Sequence, residues 1–194
     1  MQHVVTPYSR KIEPFAWWEN AFTEAELNYL RQITSAGDQV AKVGGKGNGG
    51  ANPDVRRSKV GWMACAPESQ WVFDRLSHVI SSLNAQFYGF DLTVFGEAIQ
   101  LTNYLAEEEG MYGWHQDFGG MLSRKLSLVM QLSDPEEYEG GELQIMVGGD
   151  KPISINKQKG LVVVFPSWAV HQVTPVTKGL RQSLVAWVSG PNFR

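Results

Sequence analysis

Cysteine is almost absent from this sequence, which has one such residue, Cys65, among 194. A single cysteine excludes an intramolecular disulfide and a cysteine-rich zinc cluster, and it fits a reducing compartment. Long apolar runs are also missing. The amino terminus shows none of signal-peptide length, and the stretch LVVVF at 161–165 is far too short to span a bilayer. We therefore expect a cytoplasmic protein with no membrane partner.

The sequence has no excess of positive charge either. Its 17 Lys and Arg residues are outnumbered by 20 Asp and Glu residues, which gives a formal net charge of -3. Acidic stretches occur at 107–109 (EEE) and 134–142 (DPEEYEGGE). Proteins that bind nucleic acids carry basic surfaces that neutralise phosphates. The charge balance therefore argues against a nucleic-acid partner.

Two helices are predicted in the amino-terminal part of the chain. Thr23 and Glu26 have the spacing of a capping box, which predicts a helix that starts there. Apolar residues at intervals of three and four over 72–87 predict a second helix, which Gly89 would end. Between the two helices, a glycine-rich segment at 44–54 predicts a flexible loop, either a lid over a site or a plain disordered connection.

From residue 91 onward the pattern changes to short strands. Apolar segments rich in Val, Ile, Leu and aromatic residues alternate with turns that contain Gly, Pro, Asp or Asn. Many short strands without intervening helices favour an antiparallel sandwich or barrel over a parallel sheet. We predict one mainly β domain over 1–194, in which a double-stranded β-helix (jelly roll) at 91–190 is buttressed by α-helices in the mainly helical part at 1–90.

His115 and Asp117 are candidate metal ligands in the stretch YGWHQDFGG. On a strand, residues two apart point to the same face, so both side chains would reach one ion. Such a pair is common by chance, and a third ligand is needed. His171 follows the apolar stretch LVVVFPSWAV, and distant strands of a jelly roll can face each other across the barrel. Two imidazoles and one carboxylate form the facial triad of non-haem Fe(II) oxygenases, with catalytic zinc as the alternative.

Arg181 is a candidate anion-binding residue on the last predicted strand. It shares a strand face with Ser183, and an arginine that points into an apolar interior is costly unless it meets an anion. Its planar fork suits a carboxylate held by two hydrogen bonds, to which Ser183 would add a third donor. The alternatives are an internal Asp or Glu partner, or a strand register that turns the arginine outward.

These motifs resemble a known family. HQD, followed by FPSWAVHQVTPVTKGLRQSLVAW, is similar to the Fe(II)- and 2-oxoglutarate-dependent dioxygenases, specifically the prolyl 4-hydroxylase-like branch with small bacterial and viral members. The resemblance extends over 52–188. It implies that His115, Asp117 and His171 bind Fe(II) as the catalytic metal, and that Arg181 and Ser183 bind 2-oxoglutarate. It also implies O2 as a co-substrate and ascorbate as a reductant.

The resemblance implies further site residues. Tyr104 would contact 2-oxoglutarate, and Tyr112 and Trp187 would lie at the substrate, although plain core packing explains these aromatics equally well. Under the same resemblance the glycine-rich loop would close over a peptide, and the side chains that would contact carbonyls or carboxylates of that peptide are Arg56, Arg57 and Arg124. One departure concerns the strand after HQD, where oxygen-sensing prolyl hydroxylases have a tyrosine and this chain has Met130 and Gln131.

The function implied is hydroxylation of a C–H bond, with succinate and CO2 as co-products. The family branch implies a proline-containing peptide or protein as the substrate and a monomeric enzyme. Two alternatives stay open: a non-catalytic jelly-roll module that binds metal or ligand, and the same oxygenase chemistry on another residue, a free amino acid or a small molecule. A related halogenase is disfavoured, because it would need a small residue in place of Asp117.

Overall fold

The computed structural model describes residues 12–43, 50–119 and 122–192. Two antiparallel sheets face each other, and two α-helices pack on the outside of the larger sheet. This arrangement confirms the predicted fold class. Within the described ranges, no helix combines the length and the apolar character that crossing a membrane requires.

The larger sheet contains nine strands within the described residues. They are β1 (Ala16–Trp18), β2 (Gln39–Val40), β4 (Lys59–Met63), β5 (Val94–Phe95), β6 (Ile99–Leu105), β8 (Arg124–Gln131), β9 (Tyr138–Gly140), β12 (Val162–Pro166) and β14 (Val176–Ser189). Their order is β1-β12-β8-β14-β6-β4-β2, and β5 and β9 pair with β14 beside this path. The long strand β14 is therefore central, with β8 on one side and β6 on the other.

The smaller sheet contains five strands within the same ranges. They are β3 (Arg56–Arg57), β7 (Met111–His115), β10 (Leu143–Ile145), β11 (Ile153–Ser154) and β13 (His171–Val173). Their order is β11-β10-β13-β7-β3, so the strands that end in HQD and begin with the distal histidine are direct neighbours.

The two helices begin and end where local chemistry predicts. Helix α1 (Glu24–Ser35) has a complete capping box: Glu26 N–H donates to the Thr23 hydroxyl at 3.3 Å, and Thr23 N–H donates to the Glu26 carboxylate at 2.7 Å. Helix α2 (Gln70–Leu83) continues as one π-helical turn at Asn84–Tyr88. Gly89, with φ of 67°, ends this turn in the left-handed conformation that favours glycine.

Side-chain alternation divides the interior into two layers. On β8, Leu126, Leu128 and Met130 face the helices and join the core formed by α1 and α2. The intervening residues, among them Ser127 and Gln131, are buried on the opposite face, toward the smaller sheet. The same alternation points Arg181 and Ser183 of β14 into the space between the sheets, so polar residues of the larger sheet line that space.

The amino-terminal part holds more strand than the sequence suggested. Strands β1 to β4 all lie before residue 64. Strands β1, β2 and β4 belong to the larger sheet, where β4 pairs with β6, and β3 belongs to the smaller sheet, where it pairs with β7. Of the predicted loop at 44–54, residues 44–49 lie outside the described ranges. The division of the chain into a helical support and a jelly-roll core, within one domain, stays a prediction.

Candidate metal centre and its cavity

Backbone pairing brings the two histidines together. In the antiparallel pair of β7 and β13, His115 lies directly opposite His171, and their ring centroids are 4.1 Å apart. We had expected the two residues to approach each other across the barrel. They meet instead as a cross-strand pair within one sheet, where opposite residues have their Cβ atoms closest.

Asp117 reaches the same point from the residues that follow β7. Its backbone N–H donates to the Ser167 carbonyl at 2.9 Å, and its Oδ2 accepts a hydrogen bond from the Ser127 hydroxyl at 2.7 Å. The carboxylate oxygens lie 3.8 Å from His115 Nε2 and 3.5 Å from His171 Nε2. One hydrogen bond therefore holds the carboxylate and a second holds the Asp117 backbone, while the carboxylate faces both imidazoles.

The tautomers of both histidines suit metal binding. His115 Nδ1 lies 2.8 Å from the Gly113 carbonyl and His171 Nδ1 lies 2.9 Å from the Ala169 carbonyl. A carbonyl oxygen only accepts, so each Nδ1 carries a proton, and in the neutral form of such a ring Nε2 offers its lone pair to a metal. Burial and the neighbouring His171 lower the pKa of His115 to about 4, so its imidazole is neutral near pH 7.

Three ligand atoms from these residues lie within 4.8 Å of one another. Burial alone would raise the pKa of Asp117, but the adjacent His171 and His115 lower it below its usual range, so the carboxylate is ionised. Two imidazoles and one carboxylate on one side of an ion form a donor set that fits Fe(II) with positions open to other ligands.

The three residues lie on the wall of a cavity of about 680 Å³ between the two sheets. Arg181, on β14, lines the same cavity and is 1% exposed. The cavity rim includes Val40, Trp62 and Phe118, which are 62%, 49% and 54% exposed. The Arg181 guanidinium therefore lies deep in the cavity, and exposed apolar side chains lie at the rim.

The surroundings of Arg181 follow from strand register. Tyr104 of β6 lies opposite Arg181, and Gln131 of β8 lies opposite Ser183. Arg181 donates from Nη2 to the Gln131 side-chain oxygen at 3.0 Å and from Nη1 to the Ser183 hydroxyl at 3.3 Å. Its Cζ lies 5.2 Å from the centre of the Tyr104 ring. Three neighbouring strands thus contribute to one polar cluster.

No carboxylate in the described ranges forms an ion pair with Arg181, and its Nε is buried without a hydrogen-bond partner there. The alternatives of an internal acidic partner and of an outward-facing arginine therefore do not describe this chain. A buried guanidinium without a counter-charge is costly, which makes Arg181 a candidate anion-binding residue.

Two residues near Arg181 were not predicted as ligand contacts. Gln131 was noted as a departure from the tyrosine of related enzymes, and the structure shows that it holds the guanidinium. Tyr138 was read as part of an acidic stretch. Its buried hydroxyl makes no well-formed hydrogen bond with the described residues but lies beside Arg181; burial raises the pKa of Tyr138, and the charge and polar contact of Arg181 oppose that shift. A Cβ on Gly141 would lie 2.9 Å from Arg181 Cδ, so the glycine after EG leaves room for the arginine.

Two predicted substrate residues lie in the cavity beside the metal ligands. The Tyr112 ring stacks on His115 with centroids 3.5 Å apart. Trp187 lines the cavity below the Arg124 guanidinium, which lies 4.0 Å from the Trp187 ring centre. Arg124 itself is held by two hydrogen bonds to Glu97, at 2.7 and 2.6 Å, and by one to the Asp117 carbonyl at 3.2 Å. It therefore supports the segment that carries Asp117.

The structure places the adjacent arginines of β3 differently. Arg57 donates to the carbonyls of Glu109 and Pro53 and does not line the cavity. Arg56 does line it, and its guanidinium stacks on Tyr112 at 4.5 Å. Sequence position alone does not separate the two, because adjacent residues on a strand point to opposite faces and the register decides which face is which.

The chain from 99 to 189 matches the 2OG-Fe(II) oxygenase superfamily. The match covers a little less than half of the chain, and these residues are similar to the members of that superfamily. Fe(II) and 2-oxoglutarate are the cofactors that give the superfamily its name, in agreement with those predicted from the sequence. The three residues of the metal triad and the buried Arg181 all lie within the matched residues.

Relatives of the 2OG-Fe(II) oxygenase region include a PKHD-type hydroxylase of Synechococcus sp. (strain CC9605), which is 43% identical over 79 residues, and one of Maricaulis maris (strain MCS10), 46% identical over 83 residues. The matches cover 40% and 41% of this chain, but 36% and 37% of the relatives. The chain thus matches little more than a third of the length of each relative.

Among solved structures, a prolyl hydroxylase from Trichoplax adhaerens, in complex with a peptide fragment of the hypoxia inducible factor oxygen degradation domain, is similar with a TM-score of 0.75. The similarity covers 92% of this chain and 84% of the other at 15% sequence identity. This likeness establishes a common fold over nearly the whole chain, including the amino-terminal helices that the superfamily match does not reach.

Proposed function

We propose that this protein is an Fe(II)- and 2-oxoglutarate-dependent oxygenase that hydroxylates a C–H bond, with succinate and CO2 as co-products. The observation that carries the proposal is the presence of two sites in one cavity: a triad of metal ligands and a buried arginine without a counter-charge. A module that only bound metal would have no use for the second site.

His115, Asp117 and His171 would hold the metal. When bound, Fe(II) together with 2-oxoglutarate and O2 supplies the oxidising power that C–H hydroxylation requires. The Nδ1 hydrogen bonds orient both rings with Nε2 toward the metal position, and Ser127 fixes the Asp117 carboxylate. These contacts hold the three donors in place before the metal arrives.

A second set of residues would hold the remote carboxylate of 2-oxoglutarate. Arg181 provides the charge, Ser183 a hydroxyl and Tyr104 the adjacent wall. Gln131 orients the guanidinium from β8, and the Tyr138 hydroxyl beside it would donate to the same carboxylate. In this chain, Tyr138 on β9 would thereby supply the phenol that related prolyl hydroxylases place in the strand after HQD.

The substrate we propose is a prolyl residue in a peptide or protein. The relatives are named PKHD-type hydroxylases and the similar structure is a prolyl hydroxylase. The exposed apolar rim supports a substrate that extends beyond the cavity, because Trp62 and Phe118 would pack against residues on either side of the target. Tyr112 and Trp187 would bound the space next to the metal.

The direct test is to add Fe(II) and 2-oxoglutarate to the protein without oxygen, and then to admit oxygen. We expect a weak visible absorption band on mixing and succinate after oxygen is admitted. His171→Ala should lose both. The matched control is His78→Ala, which removes an exposed histidine of α2 that packs edge-on to Trp18. A wild-type protein that is folded but gives neither signal would contradict the oxygenase proposal.

The substrate is tested separately by mass spectrometry. Proline-containing peptide libraries are incubated with enzyme, Fe(II), 2-oxoglutarate, ascorbate and O2, and products are searched for a gain of one oxygen. Oxidation on residues other than proline would keep the oxygenase activity but replace the prolyl substrate.

A further inference from the structure

Arg56 is a second buried arginine of the cavity, on the edge strand of the smaller sheet. It is 8% exposed, it pairs with Tyr112 of β7, and its Nε donates to the Ser58 hydroxyl at 2.9 Å. Its Nη2 is buried and has no hydrogen-bond partner in the part of the chain that the structure describes. One end of the guanidinium is thus fixed, and the other is free to bond a ligand.

The basic residues next to Arg56 are satisfied in a different way. Arg57 forms an ion pair with Glu109 at 3.5 Å, and Lys59 forms one with Glu108 at 2.7 Å. No Asp or Glu of the described ranges pairs with Arg56. Arg56 is therefore the member of this basic cluster that faces the cavity and has no acidic partner, which is costly for a buried charge unless an anion binds.

The position of Arg56 links it to the metal ligands. Its guanidinium stacks on the Tyr112 ring at 4.5 Å, and that ring also stacks on His115, with centroids 3.5 Å apart. Arg181, by contrast, lies on the larger sheet with Ser183 and Gln131. The cavity is thus lined by two arginines on opposite sheets that have no acidic partner among the described residues, and a diacid co-substrate held at Arg181 would leave Arg56 available.

We propose that Arg56 binds a carboxylate of the substrate, so that the preferred substrates carry a negative charge close to the C–H bond that is hydroxylated. The inference rests on the proposed oxygenase function and narrows its substrate class. The carboxylate has three sources that share this chemistry: the C-terminus of a peptide, an acidic side chain beside the target residue, and a free amino acid.

The experiment compares pairs of probes that differ only in this charge. The pairs are proline-containing peptides that end in a carboxylate or an amide, peptides with Asp or Asn beside the proline, and N-acetylproline or N-acetylprolinamide. Binding is measured by calorimetry on the full chain with Mn(II) and 2-oxoglutarate under nitrogen, and hydroxylation by mass spectrometry with Fe(II) in air. The variants are Arg56→Gln, Arg56→Lys and, as a matched loss of one charge on the neighbouring strand, Lys59→Gln.

In at least one pair, the charged member should bind the wild-type protein about ten-fold or more tightly than the neutral member. Arg56→Gln should reduce this preference to about two-fold or less, while Arg56→Lys keeps part of it and Lys59→Gln keeps all of it. The pair that shows the preference identifies the source of the carboxylate. Where Arg56→Gln does not fold, the wild-type pairs and Arg56→Lys decide the question.

Equal binding of both members in every pair, including no binding by either, would overturn the inference. So would an Arg56→Gln protein that keeps the charge preference but binds 2-oxoglutarate about ten-fold more weakly, since Arg56 would then serve the co-substrate. The proposed function fails in a different way: the wild-type protein would form no succinate, yet it would still prefer charged probes and lose that preference in Arg56→Gln.

Discussion

Tyr138 is the residue whose role is easiest to separate from folding. Its buried hydroxyl makes no well-formed hydrogen bond with the described residues and lies beside the Arg181 guanidinium, so Tyr138→Phe removes only a weak contact within the protein. We expect the melting temperature to stay the same or to rise, while the KM for 2-oxoglutarate rises by about three- to ten-fold, corresponding to one lost hydrogen bond. Thermal unfolding and succinate assays on the same preparation measure both.

The control is Tyr29→Phe, because Tyr29 lies on α1 and is 49% exposed. It should change neither quantity. A lower melting temperature for Tyr138→Phe with an unchanged KM would show that the hydroxyl serves the fold and not the co-substrate.

The candidate site was predictable where the information is local. Two ligands two residues apart and an arginine two residues before a serine can be recognised in the sequence, because strand alternation places such pairs on one face. Gln131 and Tyr138 could not be assigned in this way. Their contact with Arg181 depends on which residues of β8 and β9 lie beside β14, and register between strands distant in sequence is set by the packed sheet as a whole.

At the level of elements, Tyr88 joins the π-helical turn after α2 to the larger sheet. It is buried, and its hydroxyl donates to the Val164 carbonyl of β12 at 2.8 Å. Burial raises the pKa of Tyr88 well above its usual value. In the unfolded chain the phenol ionises near pH 10, so above that pH the unfolded state loses the proton that the folded state keeps. The free energy of unfolding should therefore fall as pH rises above about 10.

Urea denaturation of wild type and Tyr88→Phe at pH 8 and at several values between about pH 10 and 11.5 tests this. At pH 8 the variant should be less stable by about 1 kcal/mol, because it lacks the hydrogen bond to Val164. Above pH 10 its stability should decline less steeply than that of the wild type. Parallel pH profiles would mean that Tyr88 ionises normally in the folded protein.

Helices and long strands were predictable because each has a local signal, such as the capping box of α1 or the alternation in β14. The alternation of Val60 and Trp62 likewise predicts β4, but the short strand β3 has no such signal. Two residues hold too little pattern, and β3 forms because β7 offers an unpaired edge. This is why Arg56 and Arg57, one facing the cavity and one not, were indistinguishable in the sequence.

For the whole molecule, the arrangement of the cavity implies that ligands tie the two sheets together. The histidines belong to the smaller sheet and Arg181 to the larger. A 2-oxoglutarate molecule bound both to the metal held by the histidines and to Arg181 would therefore bridge the two sheets. A ligand at 100 times its Kd stabilises the folded state by about 2.7 kcal/mol. For a chain of this size, each kcal/mol raises the melting temperature by about 2 to 4 °C.

We therefore expect Mn(II) and 2-oxoglutarate together to raise the melting temperature of the wild-type protein more than either alone. Removal of the metal with a chelator should abolish most of the gain from 2-oxoglutarate. His171→Ala should lose the metal-dependent increase, whereas Arg181→Met should keep it and lose the further increase from the diacid. If 2-oxoglutarate alone stabilised the wild type fully, the diacid would bind without the metal, and the two sites would not act on one ligand. The different responses of the two variants decide this question. His171→Ala removes the binding contact on the smaller sheet and Arg181→Met removes the one on the larger sheet, and each leaves the other contact intact.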